Sequence, residues 1–478
     1  MENTFYWHDY ETFGVNPAVD RPSQFAGLRT DFNLNPIGEP LVIYCQPQAD
    51  ILPAPQACLI TGITPQLAQR EGLPEPQFIQ AIHQQLSQPK TCSVGYNSIR
   101  FDDEVSRYTL YRNFYDPYQR EWKNGNSRWD VIDMMRLTRA LRPEGIEWPD
   151  HEPGRPSFKL EDLTAANGLA HEAAHDALSD VTATIAMAKL IKEKQPRLFD
   201  YLLQNRGKKQ IAAMLNLKER KPFFHISGML SKAHMYGAIM MPLAQHPTNS
   251  NGIICVDLSA DPEALISLND EQIRRRVFTA GDKLAEGEDR IPLKVIHINK
   301  APVVTTPKLI DKQAAARLDI DLERCEKHWK RLLAVDISKK VADVFADQEF
   351  PTKPEAEQQL YAGFLPNQDR GLLDDIRRAS ASDFKQQQYY FADDRYNQLL
   401  FSYRARYFPE SLSETEQQTW HESCRWRLTN EQSGYLTMEK NNQELAQLLT
   451  DNSLSEKKRE VLLALQSWSG DVAKQFSL

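Results

Sequence analysis

Three short segments of this chain carry residue types able to hold a divalent cation and to move a proton. Asp9 and Glu11 stand two apart in His8-Asp9-Tyr10-Glu11-Thr12. Asp102 lies in Asn97-Ser98-Ile99-Arg100-Phe101-Asp102-Asp103, and His175 and Asp180 stand five apart in His175-Asp176-Ala177-Leu178-Ser179-Asp180. Carboxylates that share a small space repel each other unless a cation lies between them. Hard divalent ions such as Mg²⁺ take oxygen ligands of this kind. An imidazole with an ordinary pKa near 6.5 can accept a proton from water at neutral pH. Each piece alone has a plainer explanation. A D-x-E pair is common on a solvated strand, an Asp at a helix start stabilises the helix dipole by about 0.3–1 kcal/mol, and a His beside a helix start is often a surface or capping residue. The ordered set of three is what points to metal-assisted hydrolysis.

The elements around them decide whether they can meet. Thr4 to Glu11 is aromatic-rich and predicts a strand. Successive strand side chains alternate, so Asp9 and Glu11 would share a face. Phe25 to Thr30 and Pro40 to Cys45 predict two further strands, with Asn35-Pro36-Ile37-Gly38 as turn chemistry between them. Thr64-Pro65 predicts a helix cap, and Gln77 to Leu86 is amphipathic at helical spacing. Thr91 to Tyr96 predicts a strand and Phe101 to Phe114 a helix, which puts Asp102 at the strand's C-terminal end, where open α/β sheets carry their sites. His175 to Lys192 predicts a helix. Within one helix, residues five apart do not share a face, so convergence with Asp180 requires His175 in the loop or first turn. Gly252 to Leu258 and Leu293 to Asn299 predict strands of a smaller α+β or barrel domain, Asp347 to Pro354 a linker, and the chain from Glu355 onward helices.

A chain of 478 residues exceeds the roughly 250–300 at which single cores stop growing, so two or three domains are expected. With 41% hydrophobic and 26% charged residues it has an ordinary globular composition. No secretory signal and no membrane span are expected. The cysteines, Cys45, Cys58, Cys92, Cys255, Cys325 and Cys424, are scattered with no C-x-x-C pair, which argues against structural zinc and suits a reducing, cytoplasmic setting. A formal charge of -8 does not announce a nucleic-acid binder. Any such surface must gather its cations locally, because phosphate attraction is screened within about 8–10 Å. Arg107 to Trp122, RYTLYRNFYDPYQREW, interleaves cations and aromatics as a single-strand groove wall would, although core packing also calls on such aromatics.

The three segments resemble the three motifs of the DEDDh exonuclease superfamily. The blocks HDYETFG, GYNSIRFDDE, YRNFYDPY, NSRWD, ALRPEGIEWP and AHDALSDVTATIAMAKL resemble the bacterial exodeoxyribonuclease I family more closely, and QPRLFDYL, HINKAPV and FSYRARYFP extend the likeness over nearly the whole chain. The resemblance implies an α/β ribonuclease-H-like exonuclease domain with a mixed sheet over 1–196, an SH3-like α+β domain over 197–350 and a helical C-terminal domain over 351–478. It implies 3′→5′ degradation of single-stranded DNA to 5′-mononucleotides, processive and serving repair and recombination. Two Mg²⁺ ions are implied, with Mn²⁺ able to substitute. Asp9, Glu11 and Asp180 would hold the first ion, Asp9 would bridge to the second with support from Asp102, His175 would deprotonate the attacking water, and Glu11 would also meet the terminal 3′-hydroxyl.

The resemblance further assigns DNA contacts to Arg107, Tyr118, Trp122, Arg136 and Lys159, and to Lys208, Asn251 and Lys294. The family more often carries Arg where this chain has Lys159, and Lys lacks the bidentate fork. A partner is implied as well: the acidic C-terminal tail of single-stranded-DNA-binding protein, met by Arg142 and Tyr201, whereas the family's other tail-binding positions are not clearly kept between Thr306 and Leu333. A monomer is expected. Two other classes remain open at this point: a DEDDh enzyme that trims RNA 3′ ends, and a non-catalytic single-strand-binding module. The extra length weighs against the first, and the complete set of carboxylates against the second.

Overall fold

The structure is a computed structural model and describes residues 3–152, 154–171, 175–346 and 353–478. Part of the expected linker, 347–352, lies outside these. Compactness does not follow chain order. One unit gathers 1–127, 172–182 and 351–478, and the other gathers 128–171 and 183–350.

The first unit is organised on β1 (Thr4–Thr12), β2 (Pro22–Thr30), β3 (Leu41–Tyr44) and β4 (Thr91–Gly95). Their order is β3-β2-β1-β4, with β1 antiparallel to β2 and parallel to β4, so the sheet is mixed. A further strand, Ser127–Asp130, starts at the last residue of this part of the unit. β1 and β2 are buried on both faces, as central strands are, and β1's aromatic composition suits that position. Tyr6 and Tyr10 on one face pack with Phe25, Phe78, Ile79, Ile82, Leu86, Val105 and Leu110. That packing seats the helices Glu75–Leu86 and Asp102–Arg112 against the sheet and leaves Asp9 and Glu11 to the opposite face.

The expected groove-wall segment is largely core instead. Tyr108, Tyr111 and Phe114 are buried with Phe391, Tyr396 and Tyr403 from the C-terminal third. Tyr108 and Tyr111, three apart on Asp102–Arg112, share one side of the helix, and Phe114 joins them from the turn beyond its end. The C-terminal helices include Asp394–Tyr407, Glu414–Thr429, Met438–Leu449 and Glu456–Phe476. Ser413 and Glu416 form a reciprocal capping box at the second of these.

A buried ionic network joins the two ends of the chain inside this unit. Arg21 pairs with Glu357 and lies 3.5 Å from Glu75, which also takes Arg112 at 3.1 Å. Asp50 receives Arg406 and Arg427, each at 2.6 Å; Arg406 also meets Glu357, and Arg427 meets Glu355 at 2.8 Å. Burial alone would raise these carboxylic pKa values, yet the surrounding guanidiniums hold Asp50, Glu75 and Glu357 below the ordinary range.

The second unit carries an antiparallel five-stranded sheet. Its order is Leu293–His297, Gly252–Asp257, Gly237–Gln245, Phe223–Ile226 and Val303–Thr305. The two strands expected here are present, and three more complete the sheet.

Removing one member of the buried network should be costly, because it strands charge in a dry interior. Glu357→Ala leaves Arg21 and Arg406 each short of a partner and should destabilise the protein by about 3–5 kcal/mol, measured as a lowered urea midpoint. A loss under about 1 kcal/mol, the range of exposed pairs, would mean the network contributes little.

Candidate active site

The sheet presents Asp9, half-buried, and Glu11, 8% exposed, on one face of β1. After β4 the chain turns through Asn97, whose φ of 59° is left-handed, into a short 3₁₀ turn, Ser98–Arg100. The helix Asp102–Arg112 begins immediately beyond it. Asp102 is buried and accepts the Tyr10 backbone N–H at 3.0 Å, which ties the helix start to β1 between the two strand carboxylates. Its neighbour Asp103 serves a different purpose, meeting the buried Arg120 at 2.7 Å.

The third segment forms a turn and then a helix. The helix is Ala177–Lys194, two residues later than the expected start. His175 has φ 67°, which no first helical residue adopts, and Asp176 caps the helix by accepting the Ser179 N–H at 3.1 Å. The exposed His175 therefore lies in the turn, while Asp180 projects from the first turn of the helix. The His175 N–H donates to Asp180 Oδ2 at 3.3 Å. One ligand atom each from Glu11, His175 and Asp180 lies within 4.8 Å of the other two.

Electrostatics shows how tightly the acids are gathered. Burial pushes the Glu11 carboxyl up to about 9, and Asp180, Asp102 and Asp176 push in the same direction. Asp9 is raised well above the carboxylate range by burial and then by Asp102, Glu11, Asp180 and Asp176. Asp176 is thus a fifth carboxylate near this face, and sequence reasoning missed it. The signal was present, since an Asp just before a helix is a good cap, but its approach to β1 depends on tertiary structure.

The other candidate positions separate into distinct surroundings. Arg107 is buried, clamped by Glu121 at 2.7 and 2.9 Å and by Glu104 at 2.9 Å, and lies over the Tyr118 ring at 5.3 Å. Trp122 is 65% exposed. Two exposed aromatics nearby escaped the sequence analysis. Tyr361 hydrogen-bonds Arg107 at 3.0 Å and also Glu104, and Phe364, 84% exposed, meets Tyr118 edge-on. In the second unit, Arg136 pairs with Asp133 and lies over Phe158 and Tyr236. Lys159 is exposed, 3.6 Å from Glu161, just before the helix Leu160–Ala166. Lys208 is exposed at the first residue of Lys208–Met214, and Lys294 is half-buried in its strand. Asn251 donates its N–H to Asn249, and its Oδ1 is buried with no partner among the described residues. Arg142 is half-exposed, 3.4 Å from Asp311 Oδ2 and 3.3 Å from Leu309 O. Tyr201 is half-buried and hydrogen-bonds the Thr306 backbone, so both candidate partner residues touch the stretch 306–311.

Comparison with known proteins settles the family. Residues 6–188 match an exonuclease family model, 206–347 the exonuclease I SH3-like domain and 354–472 the exonuclease I C-terminal domain. The exodeoxyribonuclease I of Haemophilus influenzae is 46% identical, covering 94% of this chain and 95% of its own. The chain belongs to the exodeoxyribonuclease I family. Among solved family structures, Escherichia coli exonuclease I in complex with a dA16 oligonucleotide superposes with a TM-score of 0.94 at 44% identity, covering 98% of this chain and all of that one. A zinc-bound form of the same E. coli enzyme with single-stranded DNA also gives 0.94, at 43% identity over 99% of this chain and 100% of that one.

The residues fit such a family metal. The donors are carboxylate oxygens with one imidazole, and their mutual repulsion is the load that a bound cation relieves. The metal-free state should therefore be pH-sensitive in a defined direction. Glu11 keeps its proton up to about 9 when folded, against 4.5 ordinarily. Folding then costs more as pH rises from 4.5 toward 9, and the metal-free protein should lose stability across that window. Glu11→Gln should flatten this dependence and stabilise the metal-free protein at pH 8 by about 1–3 kcal/mol. Thermal midpoints in EDTA between pH 5 and 9 test it; parallel curves for the two proteins would count against the repulsion.

Proposed function

We propose that this chain is a Mg²⁺-dependent 3′→5′ exonuclease that releases 5′-mononucleotides from single-stranded DNA and acts processively in repair and recombination. The observation that carries this reading is the convergence of Glu11, His175 and Asp180 across 169 residues of sequence onto one face that also holds Asp9 and Asp102. Asp9, Glu11 and Asp180 would hold one ion, and Asp9 with Asp102 a second, Mn²⁺ being an acceptable substitute. When bound, such ions lower the pKa of water and stabilise charge on the leaving oxygen.

The chain's own residues supply the rest. The His175 imidazole, exposed on a fixed turn, is placed to take a proton from the attacking water. Asp180 accepts the His175 N–H and so couples the base to a metal ligand. Glu11 is close enough to this pair to meet the terminal 3′-hydroxyl. For the strand itself, Trp122, Tyr118 and Phe364 offer ring faces for sequence-tolerant stacking. Arg107 is neutralised by two glutamates, so its contribution to binding would be to hold Tyr118 rather than to neutralise a phosphate. Arg136, Lys159, Lys208, Asn251 and Lys294 would supply contacts from the second unit.

The domain division 1–196, 197–350 and 351–478, a monomeric state and cytoplasmic residence complete the proposal. Arg142 and Tyr201 are proposed to receive the acidic C-terminal tail of single-stranded-DNA-binding protein, a guanidinium meeting the terminal carboxylate beside an aromatic ring. Their shared neighbour, the stretch 306–311, supports that placement.

Asp180→Ala should abolish metal-dependent cleavage while the fold survives, and His175→Ala should slow the rate by about 10²–10⁴-fold with loss of one limb of the pH profile. The assay uses 3′- and 5′-labelled single-stranded DNA and RNA with Mg²⁺ or EDTA. Release of 5′-mononucleotides from DNA 3′ ends in Mg²⁺ alone is expected; preference for RNA, or near-wild-type turnover by Asp180→Ala, overturns the assignment. For the partner site, Arg142→Ala should weaken binding of an acidic tail peptide about tenfold or more in a fluorescence titration, and unchanged affinity would remove Arg142 from it.

A further inference from the structure

We infer that Gln24 is a positioning residue for the reaction, a clasp that fixes the His175 turn to the metal-binding strand. The inference rests on the assignment of His175 as the proton acceptor. Gln24 lies on β2 and is 2% exposed. In the β1–β2 ladder it stands directly opposite Glu11, and in the β2–β3 ladder directly opposite Tyr44. Cross-strand partners project on the same side of a sheet, so the Gln24 amide shares Glu11's face.

Both ends of that amide are used on the third segment. Gln24 Oε1 accepts the Ala177 N–H at 3.2 Å, and Gln24 Nε2 lies 3.4 Å from Asp176 Oδ2. The Ala177 N–H belongs to the first helical residue, one of the donors a helix start leaves without an internal partner. Asp176 in turn uses its other oxygen, Oδ1, to cap Ser179. One buried side chain thus grips the two residues that follow His175, and does so from the strand position paired with a metal-ligand candidate.

The geometry makes this grip specific to the turn. His175 is held in a left-handed conformation, and its backbone N–H donates to Asp180 Oδ2 at 3.3 Å. The turn's position relative to Glu11 needs a reference on the strands. The Gln24 amide supplies that reference, as outer partners of metal ligands do elsewhere, where their loss costs about 10–100-fold.

A double-mutant cycle tests the clasp. Gln24→Met keeps the length of the side chain and removes its hydrogen bonds to Ala177 and Asp176, together with the one to the Tyr44 hydroxyl. In the otherwise wild-type chain it should lower the single-turnover rate on a 5′-labelled oligonucleotide in Mg²⁺ by about 10–100-fold, with little change in KM and with the limb of the pH profile assigned to His175 displaced. In the His175→Ala chain the same change should cost less than about threefold, because the group it positions is gone. Equal losses in both backgrounds, or a loss carried by KM alone, overturn the clasp. If Gln24→Met does not fold, as judged by its thermal midpoint, Gln24→Glu takes its place in the cycle: it keeps the acceptor for Ala177 and sets a carboxyl against Asp176, and the same two outcomes decide. Should His175→Ala itself retain full activity, the assignment of the base fails, and this result is separable from failure of the clasp.

Discussion

Mutual repulsion of carboxylates on one sheet face is the constraint around which the first unit is organised. Asp9, Glu11, Asp102, Asp176 and Asp180 come from three separate stretches of chain, and burial with like charge raises the pKa of both strand residues. Left to relax, such groups would separate or turn toward water. Three of them are instead tied to backbone or amide groups that do not titrate: Asp102 to the Tyr10 N–H, Asp180 to the His175 N–H, and Asp176 to Ser179 and Gln24. The frame beneath must then resist deformation, and close-packed interiors with few voids provide that resistance.

The buried arginine–carboxylate network is part of this frame. Arg21 immediately precedes β2, the strand that bears Gln24, and Glu75 opens the helix that packs on β1. Arg21's partner Glu357, and Arg406, which Glu357 also meets, belong to the C-terminal third. Replacing such a network with apolar groups is often neutral or stabilising in other proteins, so its presence here is not explained by stability alone. What it does provide is directional pairing between the two ends of the chain. The C-terminal third contributes to the exposed aromatic surface as well as to bulk, since Tyr361 bonds both Arg107 and Glu104.

Local periodicity made much of this legible in the sequence, and long-range pairing did not. Asp9 and Glu11 share a face because strand spacing is two, and Asp102 marks a strand-to-helix junction, both of which hold for short segments read alone. The His175 helix was expected two residues too early because Asp176 caps well and His is tolerated in helices, whereas the left-handed φ of His175 is set by where Asp180 and Gln24 hold the turn. The aromatic run after Asp102 could not be divided into wall and core from its composition. That division follows from which rings meet Phe391, Tyr396 and Tyr403, more than 250 residues away. Arg21 and Glu357 carry no local mark of being partners at all.

The His175 turn shows why function and local preference part at this point. A non-glycine residue in the left-handed region costs on the order of 1 kcal/mol and persists where its surroundings over-determine it. Extending the helix back by two residues would relieve that cost and satisfy backbone donors internally. It would also swing His175 around the helix axis by two residues' rotation, away from Asp180, since positions five apart lie on different helical faces. Breaking the helix at Asp176 keeps the imidazole and the carboxylate on the same side. The cap at Ser179 and the Gln24 bond to Ala177 offset the broken backbone pattern. The irregular backbone is therefore what allows one contiguous segment to bring both an imidazole and a carboxylate to within reach of Glu11.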